Sequence, residues 1–255
     1  MSGIWGNKIK ISIFGESHGK AVGIVLDGLK PGIEIDLGYI REQMKRRAPG
    51  NTSLSTARKE NDEFHILSGC FRGRSTGTPL CAVILNGDVN SEDYEEISNM
   101  PRPGHADFTG RVKYKGFNDY RGGGHFSGRL TAPLVFAGSL CRKVLEERGI
   151  VIGSHVKSIG RVEDKYSFDA VSTDKNTLEK LSKDIFPVLD KGCGEKMKDS
   201  ILRARKEGDS LGGVVETMVL NLPAGVGNPF FNSVESTLSQ LLFSIPAVKG
   251  VEFGE

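Results

Sequence analysis

The amino-acid sequence predicts one folded unit of the mixed α and β class, spanning residues 1–255. Segments with the two-residue apolar alternation of β-strands recur along the chain, beginning at 9–14. Segments with helical spacing of apolar residues lie between them, most clearly at 131–148. No short-period repeat or linker-like tract interrupts this pattern, so a single domain is expected.

The N-terminal third combines strands with one helix. The loop GESHG (15–19) falls between the first two predicted strands. A helix is predicted over 36–47, because Asp36 can cap its N-terminus and Pro49 ends the apolar pattern. The predicted strands of this third are 9–14, 23–29, 64–67 and 79–85.

The rest of the chain opens with a long segment, 86–128, that has little apolar periodicity but many glycines and arginines. Such a segment is typical of functional loops. Thr131 is expected to cap the helix at 131–148, whose first turns are apolar nearly all round and therefore buried. Ser233 is expected to cap a last helix. The other predicted elements are strands at 149–156 and 213–222 and helices at 176–186 and 194–208.

Composition and charge exclude several classes of protein. No apolar run approaches the roughly 20 residues of a membrane span, and residues 1–20 lack the apolar core of a secretion signal, so a cytoplasmic protein without membrane contact is expected. The four cysteines lack the close spacing of a metal site, and no metal is expected. A net charge of +2 is too small for a general nucleic-acid binder.

The charges are unevenly distributed along the chain. Residues 41–74 hold eight Lys or Arg against four acids, and residues 99–130 hold six against two. An acidic segment, 86–98, separates them. The two basic segments could converge on a compact anionic ligand. The alternative is a set of solvated loops.

Two of the five histidines have a pattern that suggests chemistry. His65 and His155 lie in predicted strands, which favours structural roles. His18 and His105 lie in glycine-flanked loops, where an imidazole is accessible as a proton donor or acceptor. Spacing alone leaves catalysis and an ordinary loop role equally open for both.

A glycine run at 122–124 and several arginines are candidates for anion binding. Main-chain amides of the run could cradle a phosphate, although it matches neither named phosphate-loop fingerprint and a tight turn is an equal alternative. A guanidinium matches phosphate and carboxylate groups, although any single one is more often a surface charge. The candidates are Arg46, Arg47, Arg102, Arg121 and Arg129.

Ordered motifs along nearly the whole chain resemble those of the chorismate synthase family. They are GNKIKISIFGESHG, LDGLKPG, RRAPG, RPGHAD (102–107) and YRGGG, followed by KEGDSLGG, NLPAGVG and SIPAVKGVEFG. The resemblance implies an α+β fold, a β-α-β sandwich with helices packed between antiparallel sheets, assembled as a homotetramer. It also implies a carbon-oxygen lyase that eliminates phosphate from 5-enolpyruvylshikimate 3-phosphate to give chorismate. Reduced FMN would be required without net redox change, with NADPH as a possible reductant.

The resemblance also implies roles for individual residues. His18 would protonate the departing phosphate, and His105 would protonate the reduced flavin. The residues implied in FMN binding are His125, Phe126, Ser127 and Ala247. Those implied in substrate binding are Ser17, Arg46, Arg47, Arg102 and Arg129.

The sequence departs from the family pattern in three places. His125 and Phe126 stand where many members have Arg and Ser, and Ala48 and Ser53 stand where arginines are frequent. Members of the family continue beyond the counterpart of Glu255 into a part that holds further flavin contacts and the aspartate implied in proton removal. An inactive fragment is therefore one alternative, and an FMN-dependent oxidoreductase is another. A protein ending at Glu255 is expected to have little activity and poor FMN affinity.

Overall fold

The computed structural model describes residues 3–50, 54, 60–87 and 100–254. Ser53 and most of the acidic segment, 88–98, lie outside these residues. The chain divides into two compact units. Unit 1 comprises Met1–Asn51, Ala57–Cys141 and Gly227–Glu255, and unit 2 comprises Thr52–Thr56 and Arg142–Val226. The single domain expected from the sequence stays a prediction.

The elements confirm the mixed α+β class. The strands are β1 (Ile4–Gly6), β2 (Lys10–Gly15), β3 (Ala21–Asp27), β4 (Phe64–Ser68), β5 (Cys70–Phe71), β6 (Arg74–Ser75), β7 (Leu80–Leu85), β8 (Val151–Ile159), β9 (Val162–Glu163) and β10 (Gly213–Leu220). The α-helices are α1 (Leu37–Arg47), α2 (Asp107–Lys113), α3 (Thr131–Glu146), α4 (Lys175–Ser182), α5 (Lys191–Lys206) and α6 (Val234–Leu242). Two 3₁₀ segments, Arg121–Phe126 and Gly128–Leu130, precede α3.

Unit 1 is built on a five-stranded antiparallel sheet in the order β1-β2-β3-β7-β4. Strands β2 and β3 are paired along their length, with Lys10 opposite Asp27 at one end and Gly15 opposite Val22 at the other. The GESHG loop therefore joins the two strands at the second end, as predicted. β7 pairs with the other side of β3, and its last residue, Leu85, lies opposite Ala21. The sheet therefore brings the residues after β7 beside the loop that contains His18.

Alternation along the central strands creates the core of unit 1. Val22, Ile24 and Leu26 of β3 share one face and are fully buried. Ile40 and Met44 of α1 and Phe136 of α3 pack into the same cluster, which also contains apolar residues of β7. The buried early turns of α3 that the sequence predicted are therefore confirmed.

Helix caps follow the sequence predictions with one exception. The Asp36 carboxylate accepts from the Tyr39 amide at 2.9 Å, and the Ser233 hydroxyl accepts from the Ser236 amide at 3.1 Å. Thr131 was expected to cap α3, and that expectation is wrong. It is the first residue of the helix, and its hydroxyl donates to the Gly128 carbonyl instead of accepting from an amide.

Unit 2 is a three-stranded antiparallel sheet, in the order β10-β8-β9, with α4 and α5 packed against it. α4 approaches β8 closely at Gly153, where a Cβ atom would lie 2.7 Å from the Leu178 Cβ. His155 is fully buried in β8 and lies opposite Glu216 of β10. No helix among the residues described in either unit is long and apolar enough to cross a membrane.

Candidate active site

A cavity of about 760 Å³ lies within unit 1. Its walls come from β1 and β2, from the RPGHAD loop, from the segment 122–131 and from the residues that follow α6. Trp5, Ile11 and Ile13 supply an apolar wall, whereas Arg102 and Lys249 supply cations. The volume lies within the range of roughly 300–1,000 Å³ that is usual for small-molecule sites.

The His105 loop (102–107) is closed by an ion pair between its ends. Arg102 donates from Nε and Nη2 to the two carboxylate oxygens of Asp107, at 2.9 and 3.0 Å, and its backbone amide donates to the same carboxylate. The Arg102 hydrogen bonds hold the pKa of Asp107 below its usual range. His105 lies within this closed loop, exposed and lining the cavity.

The glycine segment (Arg121–Phe126) has a backbone that requires glycine. Gly122 has φ 58°, and a Cβ atom there would lie 2.1 Å from His18 Nδ1 and 2.6 Å from Ser17 Oγ. Gly122 also lines the cavity. The run of three glycines thus brings main chain into contact with the His18 imidazole. This contact explains why glycine occurs there, which the sequence pattern alone did not show.

His18 is buried behind Gly122 and does not itself line the cavity. Its Nδ1 lies 3.0 Å from Ser17 Oγ, and the Ser17 amide donates to the Gly124 carbonyl at 3.1 Å. The glycine segment therefore contacts His18 and lines the cavity together with His105. Nearby, Arg121 hydrogen bonds lower the pKa of the Asp119 carboxyl.

Two side chains of the glycine segment tie it to neighbouring elements. His125 Nδ1 lies 2.9 Å from the Gly15 carbonyl, and a carbonyl can only accept, so this nitrogen carries the proton. The Phe126 ring lies 6.0 Å from the Tyr114 ring, and a Cβ atom on Gly110 of α2 would lie 2.8 Å from it. These unusual residues therefore anchor the segment between β2 and α2.

Ala247, which follows α6, also lines the cavity. Its φ of 71° is left-handed, a conformation that costs free energy in a residue with a Cβ atom and occurs often at functional sites. The α6 region is linked to β1 by a hydrogen bond of 2.9 Å from Trp5 Nε1 to Gln240 Oε1. Ala247 is thereby brought to the cavity with Ser127 and the other predicted flavin contacts.

The remaining predicted arginines lie elsewhere. Arg129 is 4% exposed and pairs with Asp62 and Glu60, and Arg47 pairs with the other oxygen of Asp62 at 2.6 Å. Burial is the main reason why the pKa of Arg47 is lowered. Arg46 is exposed on α1 and donates to Gln43. Of the predicted site residues, these three do not line the cavity, and neither do Ser17 and His18.

Sequence reasoning missed two polar residues of the site. Asp107 is part of RPGHAD, and its spacing of five from Arg102 was a signal that the loop closes on itself. Asn86 directly follows β7 and donates to the carbonyls of Glu16 and Gly19 in the His18 loop (16–20). Asn86 carried no local signal, because its partners are about 70 residues away in the chain.

The comparisons with known proteins converge on one family. A family model described as chorismate synthase matches residues 9–255. The chorismate synthase of Thermococcus kodakarensis is 49% identical over 249 residues, covering 98% of this chain and 67% of the relative. That of Pyrococcus abyssi is 48% identical over 250 residues, with the same coverage of both chains.

A solved crystal structure of a chorismate synthase has a TM-score of 0.78 and 30% sequence identity to this chain. It covers 97% of this chain and 68% of its own. The fold similarity therefore extends over nearly the whole chain. The chain spans about two thirds of the length of these relatives.

Proposed function

The chain belongs to the chorismate synthase family, and we propose that it eliminates phosphate from 5-enolpyruvylshikimate 3-phosphate to give chorismate in the cavity of unit 1. The observation that carries this proposal is that the glycine segment contacts His18 and also lines the cavity together with His105. The family is flavin-dependent and acts on a phosphorylated small molecule. Reduced FMN is the finer assignment that we propose for this chain.

The residues of the cavity fit a flavin. Its apolar wall at Trp5, Ile11 and Ile13 suits a planar ring system, and Arg102 and Lys249 suit an anionic tail. His125, Phe126, Ser127 and Ala247 line the same space and would hold the cofactor. Reduced FMN, when bound, supplies electron density to the substrate as phosphate departs and recovers it afterwards, so no net redox change results.

His105 is proposed to hold a proton at the flavin. It is exposed to the cavity, and the Arg102–Asp107 pair closes the loop around it, which limits the positions its ring can take. An imidazole has two ring nitrogens, of which one can donate and the other accept a proton, so the side chain suits proton exchange. Arg102 lines the same cavity, with its charge balanced by the carboxylate of Asp107.

His18 is proposed to protonate the departing phosphate. If the Ser17 hydroxyl donates to Nδ1, the ring proton lies on Nε2, which is the tautomer that a donor needs. The Gly122 backbone beside it would add a neutral donor for the anion, whereas the Ser17 hydroxyl, once it donates to His18, could only accept from a substrate group. Arg47 and Arg129 have Asp62 as partner, so their contact with a substrate anion stays a prediction, as does that of Arg46.

The test is an anaerobic assay with chemically reduced FMN and the phosphorylated substrate. Equal yields of chorismate and phosphate, with no net consumption of reduced FMN, are expected. Consumption of one flavin equivalent per turnover would indicate an oxidoreductase instead, and the absence of chorismate would reject the proposal.

Two further assignments have separate tests. Adding NADPH to oxidised FMN without oxygen tests whether NADPH is the reductant, and sedimentation tests the proposed homotetramer. The cytoplasmic location stays a prediction.

A further inference from the structure

Asn86 contacts the His18 loop (16–20) without lining the cavity. Its Nδ2 donates to the Glu16 carbonyl at 3.0 Å and to the Gly19 carbonyl at 2.8 Å. Its backbone amide donates to the Lys20 carbonyl at 3.2 Å. The accepting carbonyls bracket Ser17 and His18, so one side chain holds both ends of the turn.

The orientation of the Asn86 amide is fixed by Arg129. Arg129 Nε lies 3.0 Å from Asn86 Oδ1, and a guanidinium only donates, so the oxygen of the amide must face it. The NH₂ group then faces the loop. Arg129 is itself held by Asp62, Glu60 and the Leu85 carbonyl. The chain of contacts therefore runs from a buried ion-pair cluster, through one amide, to the backbone that carries His18.

Two other backbone bonds of the loop involve residues that the structure describes. The Gly19 amide donates to the Glu16 carbonyl at 3.1 Å, and the Ser17 amide donates to the Gly124 carbonyl. Both N–H groups of the Asn86 amide are used, and without them the Gly19 carbonyl loses its donor in a partly buried place. The turn could then shift relative to Gly122, against which the His18 ring packs.

We propose that Asn86 is a positioning residue that keeps the His18 ring in its place against Gly122, an inference that rests on the proposed function. A misplacement of about 1 Å at a reacting group can cost on the order of 100-fold in rate. Loss of the amide donors should therefore lower turnover more than substrate affinity, because the two accepting carbonyls flank His18, whereas Asn86 itself contributes no atom to the cavity wall.

Asn86→Asp is the diagnostic variant. It is nearly isosteric and keeps an oxygen for Arg129, but it replaces both donors with a carboxylate oxygen facing two carbonyls. We expect kcat to fall about 10- to 100-fold and KM to change less than about 3-fold. Asn221→Asp is the matched control, since Asn221 Nδ2 also donates to a backbone carbonyl, that of Gly149, within unit 2. It should leave kcat unchanged.

A second measurement does not depend on turnover. In Asn86→Asp and in Asn86→Ala, the His18 imidazole resonances should shift and the Gly19 amide should exchange with solvent at least about 10-fold faster, while exchange in the core of unit 1 stays unchanged. Unaltered His18 resonances and exchange in a folded variant would overturn the proposal. So would a kcat within about 2-fold of the unmodified protein. If the unmodified protein forms no chorismate, the proposed function fails, and the resonance and exchange data still decide the role of Asn86.

Discussion

Because Gly122 lies against His18, even its replacement by alanine should disturb the site. Gly122→Ala would place a methyl group 2.1 Å from His18 Nδ1 in a left-handed backbone conformation. We expect at least about a 100-fold loss of kcat in the reduced-FMN assay, because the imidazole must move. Gly116→Ala is the control, since its φ of 81° is also left-handed but no atom lies within 4 Å of the added carbon. Equal effects of the two variants would contradict a steric cause.

The Arg102–Asp107 pair gives the His105 loop a defined pH dependence. The pKa of Asp107 is lowered in the folded protein, so the pair contributes stability above the unfolded-state pKa and loses it as pH falls through the folded-state value. Asp107→Asn should therefore reduce the free energy of unfolding at pH 7, and the difference from the unmodified protein should shrink below about pH 4. Urea unfolding at both pH values measures this. A constant difference would show that the carboxylate charge is not involved.

Single residues could be assigned from the sequence only where their partners were near in the chain. Asp36 and Ser233 were correctly predicted as caps, because a cap bonds to an amide only three residues away. The contact of His18 with Gly122 joins residues about a hundred positions apart and depends on the packing of the sheet. The same holds for Asn86. The motifs therefore indicated candidate catalytic residues but not the residues that hold them in place.

At the scale of elements, α2 is the feature that local patterns did not indicate. It is seven residues long, and it lies in the segment 86–128 that was predicted as a loop region. Its sequence has no apolar stripe, and its first residue, Asp107, is fixed by Arg102 rather than by an ordinary cap. Short helices of this kind depend on tertiary contacts. The longer helices and the longer strands of the two larger sheets, by contrast, were predicted from periodicity to within a few residues, whereas the short strands β1 and β9 were not predicted.

The packing of α2 on the glycine segment can be tested at Gly110. A methyl group at this buried position would lie 2.8 Å from the Phe126 ring, which lines the cavity on its other side. We expect Gly110→Ala to weaken FMN binding about 10-fold, because Phe126 would be pushed into the cavity. Gly38→Ala, in α1, meets only an atom at 3.3 Å, the Asp36 carboxylate oxygen, and should leave FMN affinity unchanged. Fluorescence titration with FMN measures both variants, and equal affinities would refute this role of Phe126.

At the scale of the molecule, the proposed active site and the buried polar contacts of His155 belong to different units. The cavity and all the predicted site residues belong to unit 1, whereas the fully buried His155 belongs to unit 2. His155 Nε2 lies 2.6 Å from Glu216 Oε2, and Nδ1 lies 3.6 Å from Asp164 Oδ2, beyond hydrogen-bond range. Phe168 contacts the ring edge-on at 4.7 Å. The strand position predicted from the sequence is confirmed, and the structural role it favoured stays a prediction.

His155→Phe should therefore destabilise unit 2 without altering the site. The change removes the bond to Glu216, whereas Asp164 keeps its backbone donors at Tyr166 and Leu189. We expect a loss of about 1–3 kcal/mol in the free energy of opening of unit 2, measured by hydrogen exchange of β8 and β10 amides. Ser154→Ala is the control, because its cross-strand bond to Thr217 is exposed and should cost less than about 0.5 kcal/mol. Slow exchange in β3 should persist in both variants, since β3 belongs to the core of unit 1. Faster exchange there in His155→Phe would mean that the two units open as one cooperative body, and the site would then share the stability of His155.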